Sequence, residues 1–547
     1  MYKFRLRNAI YLLVLSGLFV ISCESIFTSE KPKLVIMITP DQFRADYLEK
    51  YNDAFEGGFR RLLDEGWRYD KALVDHAPTL SWPGHTTIHT GAYPKNHGVC
   101  SNEIINEQGY RMPLFLDRDE NILGYPRGIS YTPKITKVSG LSEWLREVDP
   151  ESRSVSINTT MTALCYGGKP QTDRTKNHVY WIEPSAGEFV TSTYYRDSYP
   201  DWLVRFNEEI VPEYRNKLNW ENTVPEKFRH LARNDEASFE HDGVHTAFPH
   251  NIKDFYPEEN PQTVNMYFSR FNPYANEALF ALARESINEL KLGQRESTDF
   301  LAISIGLTDR MGHDFGPCSL EQYDTILRLD RLLGEFFDFL DNTIGKDNYV
   351  LSLTGDHGGP NIVEYELEQG RPAKRISEEE IKNLLDDIDK FVNNYSGAKD
   401  RLTYLIAKEL EKSEFVARAM TPEELGGTDP ADHILESYRK SYLPGFKSTF
   451  PLWTNNILRG YVGPNHPGNY GIIVEYIENG QLYTAKSAHA TSYSYDQEVP
   501  IIIMGKGVKS GVAEDKARTI DIAPTLAELA GIKFPGTVDG KALKIGK

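Results

Sequence analysis

The run Thr354-Gly355-Asp356-His357-Gly358-Gly359 places a carboxylate and an imidazole side by side, directly after the apolar stretch Tyr349–Leu353. Both side chains suit a divalent cation of hard to borderline character. The apolar stretch reads as a buried strand, and open α/β sheets bind ligands at the carboxyl ends of their strands. The same grammar recurs twice. Leu34–Thr39 runs into Asp41, and Leu301–Leu307 runs into Asp309, with His313 four residues on. Three acidic residues at three strand ends, two with a histidine close by, predict a metal site. His489, ten residues before the late strand Val499–Met504, joins the set only by its fit to it.

A nucleophile candidate lies in Leu80-Ser81-Trp82-Pro83-Gly84-His85-Thr86. Pro83 suits the first turn of a helix, so Ser81 falls at or just before its N-terminus. Free N–H groups and the helix dipole favour negative charge there. Alone, this serine would read as an N-cap. Beside a metal set, its hydroxyl becomes a candidate for attack.

The elements that must position these residues alternate between strand and helix patterns from residue 33 onward. That alternation predicts an α/β fold, a central mostly parallel sheet sandwiched by helices. Leu34–Thr39 is the first strand, Gly57–Gly66 a helix and Val155–Ile157 a short strand. Leu320–Leu340 is a helix with Tyr323, Ile326, Leu329, Leu333, Phe336, Phe337 and Leu340 on its core face. Ser377 with Glu380 makes a capping box for a charged helix ending near Gly397. Asp521-Ile522-Ala523-Pro524 opens a short helix that stops at Gly531. We assign residues 33–547 to one catalytic domain, with insertions near 170–300 and 365–480 forming a cap.

Sixty-one basic against 79 acidic residues give a net charge of −18. Such a surface disfavours nucleic-acid binding, which needs basic groups to neutralise phosphates, so no nucleic-acid partner is expected. Lys3, Arg5 and Arg7 precede an apolar segment, Ile10 to Ile21, that reads as a signal peptide over residues 1–23 and is short for a membrane span. Val20-Ile21-Ser22-Cys23 resembles a bacterial lipoprotein cleavage box, which predicts a lipid anchor on Cys23 as the only membrane contact, a linker over 24–32, and a place in the periplasm or at the outer membrane. Cys100, Cys165 and Cys318 remain. A Cys100–Cys165 bridge and three reduced thiols are both open. No Cys-x-x-Cys pair supports a sulfur-ligated zinc.

The ordered set Asp41, Ser81, Asp309/His313, Asp356/His357 and His489, with the closing Asp-Ile-Ala-Pro-Thr-Leu segment, resembles the alkaline phosphatase superfamily. Within it, Ser-Trp-Pro-Gly-His, Gly91-Ala92-Tyr93-Pro94, Asn102, Thr191–Tyr195 and Gly312–Pro317 are similar to PafA-like alkaline phosphatases and to the nucleotide pyrophosphatase/phosphodiesterase branch. The resemblance implies two Zn2+ ions and a small-molecule phosphate ester as substrate. One zinc would be held by Asp309, His313 and His489, the other by Asp41, Asp356 and His357 with Ser81 as nucleophilic ligand. It further implies a phosphoseryl intermediate on Ser81, with Asn102 donating to a phosphoryl oxygen.

Two departures from the family pattern bear on substrate. Many PafA-like enzymes carry threonine where Ser81 stands, a swap that keeps the hydroxyl. More consequential, the phosphatases place a Lys-x-Arg pair where this chain has Asn158 and Thr160, the positions assigned here to substrate binding. A monoester dianion loses more than a diester when two cations vanish, so diester hydrolysis should be relatively favoured. The alternative is a monoesterase in which Lys169, Arg174 or Lys176 supplies the charge. Sulfatases need Arg where His85 stands. A ligand-binding lipoprotein on an inactivated phosphatase fold is the non-enzymatic reading.

Overall fold

The computed structural model describes residues 31–106, 110–125, 130–170, 173–446, 467–482 and 486–546. The expected signal peptide and Cys23 lie outside the described residues.

Nine strands form one sheet: β1 (Leu34–Pro40), β2 (Trp67–Leu73), β3 (Ser154–Asn158), β4 (Asn177–Glu183), β5 (Glu188–Val190), β6 (Asp299–Ile305), β7 (Tyr349–Thr354), β8 (Glu498–Gly505) and β9 (Gly511–Val512). Their order is β9-β2-β8-β7-β1-β6-β3-β4-β5. The five from β7 to β4 are parallel neighbours. β8 runs antiparallel to β7 and β2, and β5 antiparallel to β4. This is the mostly parallel α/β sheet expected from the alternating pattern.

The central strands are buried along their whole length because both faces of the sheet are covered. On one face Leu34, Ile36 and Ile38 of β1 join Leu301 and Ile303 of β6. They pack against Phe59 and Leu62 of α1 (Gly58–Glu65), Leu279 and Leu282 of α4 (Tyr274–Leu290), and Leu329, Leu333 and Phe336 of α6 (Leu320–Thr343). The alternate residues Val35, Met37, Phe300, Ala302 and Val350 face the other way. They meet Ile88 of α2 (Ser81–Thr90), Trp144 and Leu145 of α3 (Leu141–Val148), and Ala523 and Leu526 of α8 (Ile522–Leu529). A one-residue slip in β1 would exchange the two sets, so packing fixes its register.

The span 170–300 is partly integral to the sheet, since it supplies β4, β5 and α4. Its middle packs Trp220, Ile252, Tyr267 and Phe271 against Leu307, Met311 and Phe315, around α5 (Leu307–Asp314). The span 365–480 has its own small core. Ile381 and Ile388 of α7 (Glu378–Asn394) meet Ile376, Ile406, Leu410 and Ile472. The capping box at Ser377 and Glu380 is formed. This unit docks beside the loop that leads to α2. Met420, Leu435 and Tyr438 cluster with Ala77, and Lys440 Nζ donates to the Asp75 carbonyl at 2.8 Å. Cys100, Cys165 and Cys318 are free thiols. Among the described residues no helix is long and apolar enough to cross a membrane.

Candidate metal centre and nucleophile

The carboxyl ends of β1, β6 and β7 deliver the acidic residues to one edge of the sheet. Asp309 and His313 share one side of α5, a single turn apart, with His313 Nε2 3.3 Å from Asp309 Oδ1. His489, from the loop before β8, brings its Nε2 to 3.4 Å from the same oxygen. In the second trio His357 Nε2 lies 3.3 Å from Asp41 Oδ1 and 3.4 Å from Asp356 Oδ2. The six donors thus form two trios, each compact enough to share one ion. The trios are neighbours, since the His357 and His489 rings stack with centroids 3.7 Å apart. Gly312 leaves room for the buried Gln42 side chain, since a Cβ there would stand 1.6 Å from Gln42 Oε1.

The donors are prepared for a cation. Each histidine turns Nδ1 to a backbone carbonyl: His313 to Ser487 at 2.6 Å, His357 to Gly358 at 2.8 Å and His489 to Thr79 at 2.7 Å. That leaves each Nε2 facing the carboxylates, the outer-shell arrangement of imidazole metal ligands. Asp41 Oδ1, Asp309 Oδ1, Asp356 Oδ2 and His357 Nε2 are buried atoms without a hydrogen-bond partner among the described residues. Orphaned buried acceptors are costly unless an ion or proton satisfies them. Burial, reinforced by the charges of Asp41 and Asp309, pushes Asp356 well above the ordinary carboxylate range. Burial also holds His357 well below its usual value, with His489 adding to the effect. In the other trio burial is outweighed: His313 and His489 pull Asp309 well down, and Asp309 raises His313 to about 9. Such perturbation is characteristic of working sites.

Ser81 is the first residue of α2, preceded by extended Leu80. The segment around it is pinned between the trios. The Thr79 carbonyl accepts from His489, and Gly84 packs so closely that a Cβ would meet the Asp356 carbonyl oxygen at 2.5 Å. Asn102 Oδ1 accepts the Trp82 N–H at 2.9 Å, which turns the Asn102 amide donors away from the helix. A cleft of about 430 Å³ opens here, lined by Leu80, Trp82, Asn102, Arg111, Thr160 and Met161 among others. Its Trp82 wall is braced by a stacked Phe115 at 4.4 Å.

Thr160 lines this cleft, whereas Asn158 is wholly buried and turned into its own loop, its Oδ1 accepting the Thr160 N–H at 3.2 Å. Two of the three candidate substitute cations are engaged elsewhere. Lys176 Nζ donates to the Pro150 carbonyl and pairs with Glu151, and Arg174 pairs with Asp197. Both precede Asn177, which pairs with Ser154 at the start of β3. That edge is about 13 Å from Asn158, four residues at ~3.3 Å each. The Lys169 carbonyl accepts from Arg146, which also bonds Ser154 at that same edge.

Sequence reasoning passed over His85 as a site residue. It lies one helical turn beyond Ser81, and its Nε2 stands 3.5 Å from Asp41 Oδ2 and 3.3 Å from Asp356 Oδ2. The i, i+4 spacing from Ser81 was the signal that could have found it. Two supporting groups carried no sequence signal: the Gln42 N–H, donating to Asp356 Oδ1 at 3.0 Å, and Thr308 Oγ1, donating to the Asp41 carbonyl at 2.6 Å.

Comparison with known proteins agrees with this geometry. Residues 35–449 match the model of the type I phosphodiesterase / nucleotide pyrophosphatase family. The chain is 30% identical to alkaline phosphatase PhoV of Synechococcus elongatus, over 94% of this chain and 93% of that protein. It is 28% identical to alkaline phosphatase PafA of Elizabethkingia meningoseptica, over 97% of each. The crystal structure of wild-type PafA superposes with a TM-score of 0.79 at 25% identity, covering 94% of this chain and 98% of that one.

Proposed function

The chain belongs to the type I phosphodiesterase / nucleotide pyrophosphatase family, within the alkaline phosphatase superfamily, and is a metal-dependent phosphoric ester hydrolase; from that premise we propose a two-zinc enzyme that works through Ser81 and favours diesters relative to its monoesterase kin. Asp309, His313 and His489 would hold one ion, and Asp41, Asp356 and His357 the other. Carboxylate and imidazole donors without sulfur suit zinc. When bound, the ions supply Lewis acidity at the attacking and leaving oxygens.

The chain's own residues do the rest. Ser81 Oγ forms the new bond to phosphorus while the bond to the leaving ester oxygen breaks, and water later cleaves the phosphoseryl ester. The N-terminal end of α2 favours negative charge on Ser81. Asn102, oriented through its bond to the Trp82 N–H, directs its amide donors toward a non-bridging oxygen. The cleft beside Trp82 and Met161 takes the organic part of the ester.

The observation that carries this reading is the pair of donor trios, with buried unpartnered oxygens, bracketing the start of α2. The diester preference is supported by neutral Thr160 in the cleft and by the partners that hold Arg174 and Lys176 elsewhere. A monoesterase is the second reading, favoured by the alkaline phosphatase names of the full-length relatives. Arg111, which lines the cleft in a pair with Glu103, would be its cation. Purified protein should carry about two zinc per chain, and kcat/KM for matched aryl mono- and diesters decides between the readings. A monoester preference of many orders of magnitude would remove the diester proposal, and active protein without zinc would remove the metal assignment. Export to the periplasm or outer membrane on a lipid anchor at Cys23 is proposed from the N-terminal segment alone.

A further inference from the structure

We infer that His85 is a positioning residue for the second metal trio, an N–H donor held between the carboxylates of Asp41 and Asp356 by a relay through Tyr166 and Thr39. The inference rests on the two-metal reading above.

His85 is fully buried, and its Nε2 has no hydrogen-bond partner among the described residues, yet it lies within 3.5 Å of one oxygen from each carboxylate. Its other nitrogen, Nδ1, is 2.9 Å from the Tyr166 hydroxyl, which is in turn 2.8 Å from Thr39 Oγ1. Thr39 can donate to Tyr166, and Tyr166 to Nδ1. That direction makes Nε2 the ring N–H that faces the carboxylates.

The carboxylates divide their oxygens accordingly. Asp41 turns Oδ2 toward His85 and Oδ1 toward His357. Asp356 gives Oδ1 to the Gln42 N–H and holds Oδ2 between the two imidazoles. The relay begins at Thr39 on β1 and returns to Asp41 two residues later, so β1, Tyr166 and α2 are locked as one frame. An N–H on that side orients two buried carboxylates at once. Ligand-orienting partners of this kind commonly matter to affinity nearly as much as ligands do.

The test is zinc titration of metal-stripped protein against a chromophoric chelator, with cobalt absorption reporting the geometry of each site. His85→Leu is expected to weaken the second equivalent about 10- to 100-fold and to leave the first unchanged. His85→Gln, which keeps a side-chain N–H, should recover most of the loss. Tyr166→Phe keeps the packing and frees the His85 tautomer, so it should weaken the same equivalent by less. If the His85→Leu protein does not fold, the Tyr166→Phe result decides. Wild-type affinity at both sites in His85→Leu or Tyr166→Phe overturns the inference alone. So does a loss in His85→Gln as large as in His85→Leu, since packing would then explain it. Wild-type protein that fails to take up a second equivalent overturns the two-metal reading, and this inference with it.

Discussion

Gly84→Ala offers a sharp test, because it adds one methyl group at a point where α2 touches the second trio. The new Cβ would stand 2.5 Å from the Asp356 carbonyl oxygen and 3.0 Å from Asp356 Cβ, where ordinary contact begins at 3.4 Å. The shortfall against the oxygen is 3.4 − 2.5, or about 0.9 Å, and backbone supplies it rather than a flexible side chain. Either α2 retreats, taking Ser81 with it, or the turn carrying Asp356 and His357 moves. A displacement near 1 Å at reacting groups costs about 100-fold in rate, which is about 2.7 kcal/mol in the barrier. Overpacking itself costs about 1–3 kcal/mol of stability, so a fold of this size should survive. The assays are kcat/KM on an aryl phosphodiester, zinc content per chain, and a thermal melt to separate misfolding from misplacement. A folded Gly84→Ala enzyme with wild-type kcat/KM and full zinc content would refute the claim that this contact sets the site.

Ser81→Ala is expected to abolish the phosphoenzyme, seen by acid quench, while zinc content stays unchanged. Asn102→Ala removes the phosphoryl donor and strands the Trp82 N–H, so kcat/KM should fall about 100- to 1000-fold, read by steady-state kinetics on both ester classes. Glu475 gives a stability test at the loop that carries His489, where it accepts the Ser492 N–H at 2.8 Å. Burial pushes this carboxyl up from 4.5 to about 8. Between those values the folded state keeps a proton that the unfolded state has lost, so stability falls as pH rises through that window. Glu475→Gln does not ionise, and its melting temperature should therefore drop less than wild type between about pH 5 and pH 9.

The parallel core of the fold follows from local sequence because β1, β6 and β7 are mainly apolar runs closely followed by Asp41, Asp309 and Asp356. Direction is another matter. The apolar run of β8 marks a buried strand, but nothing in its periodicity encodes that it lies antiparallel to β7. β2 escaped notice because Arg68, Asp70 and Lys71 break its apolar pattern, which suits a strand near the sheet margin. At the site, ligands with a strand-end signal are separable by spacing, whereas His85 gains its place only from helix packing. Asn158 illustrates the converse: the family resemblance puts it where a Lys-x-Arg pair stands, but its own Asx-type bond to Thr160, which turns its Oδ1 inward, is visible only in the fold.

The bond between His489 and the Thr79 carbonyl spans 410 residues of chain. One candidate metal trio therefore stays incomplete until residue 489 has emerged and the distant loop has found its partner. A nascent product that stops short of it would carry Ser81 yet lack His489, and with it one of the two proposed ion sites. On the two-ion reading, hydrolytic competence waits for that loop to be made and docked, and turnover reports that the two distant segments have met.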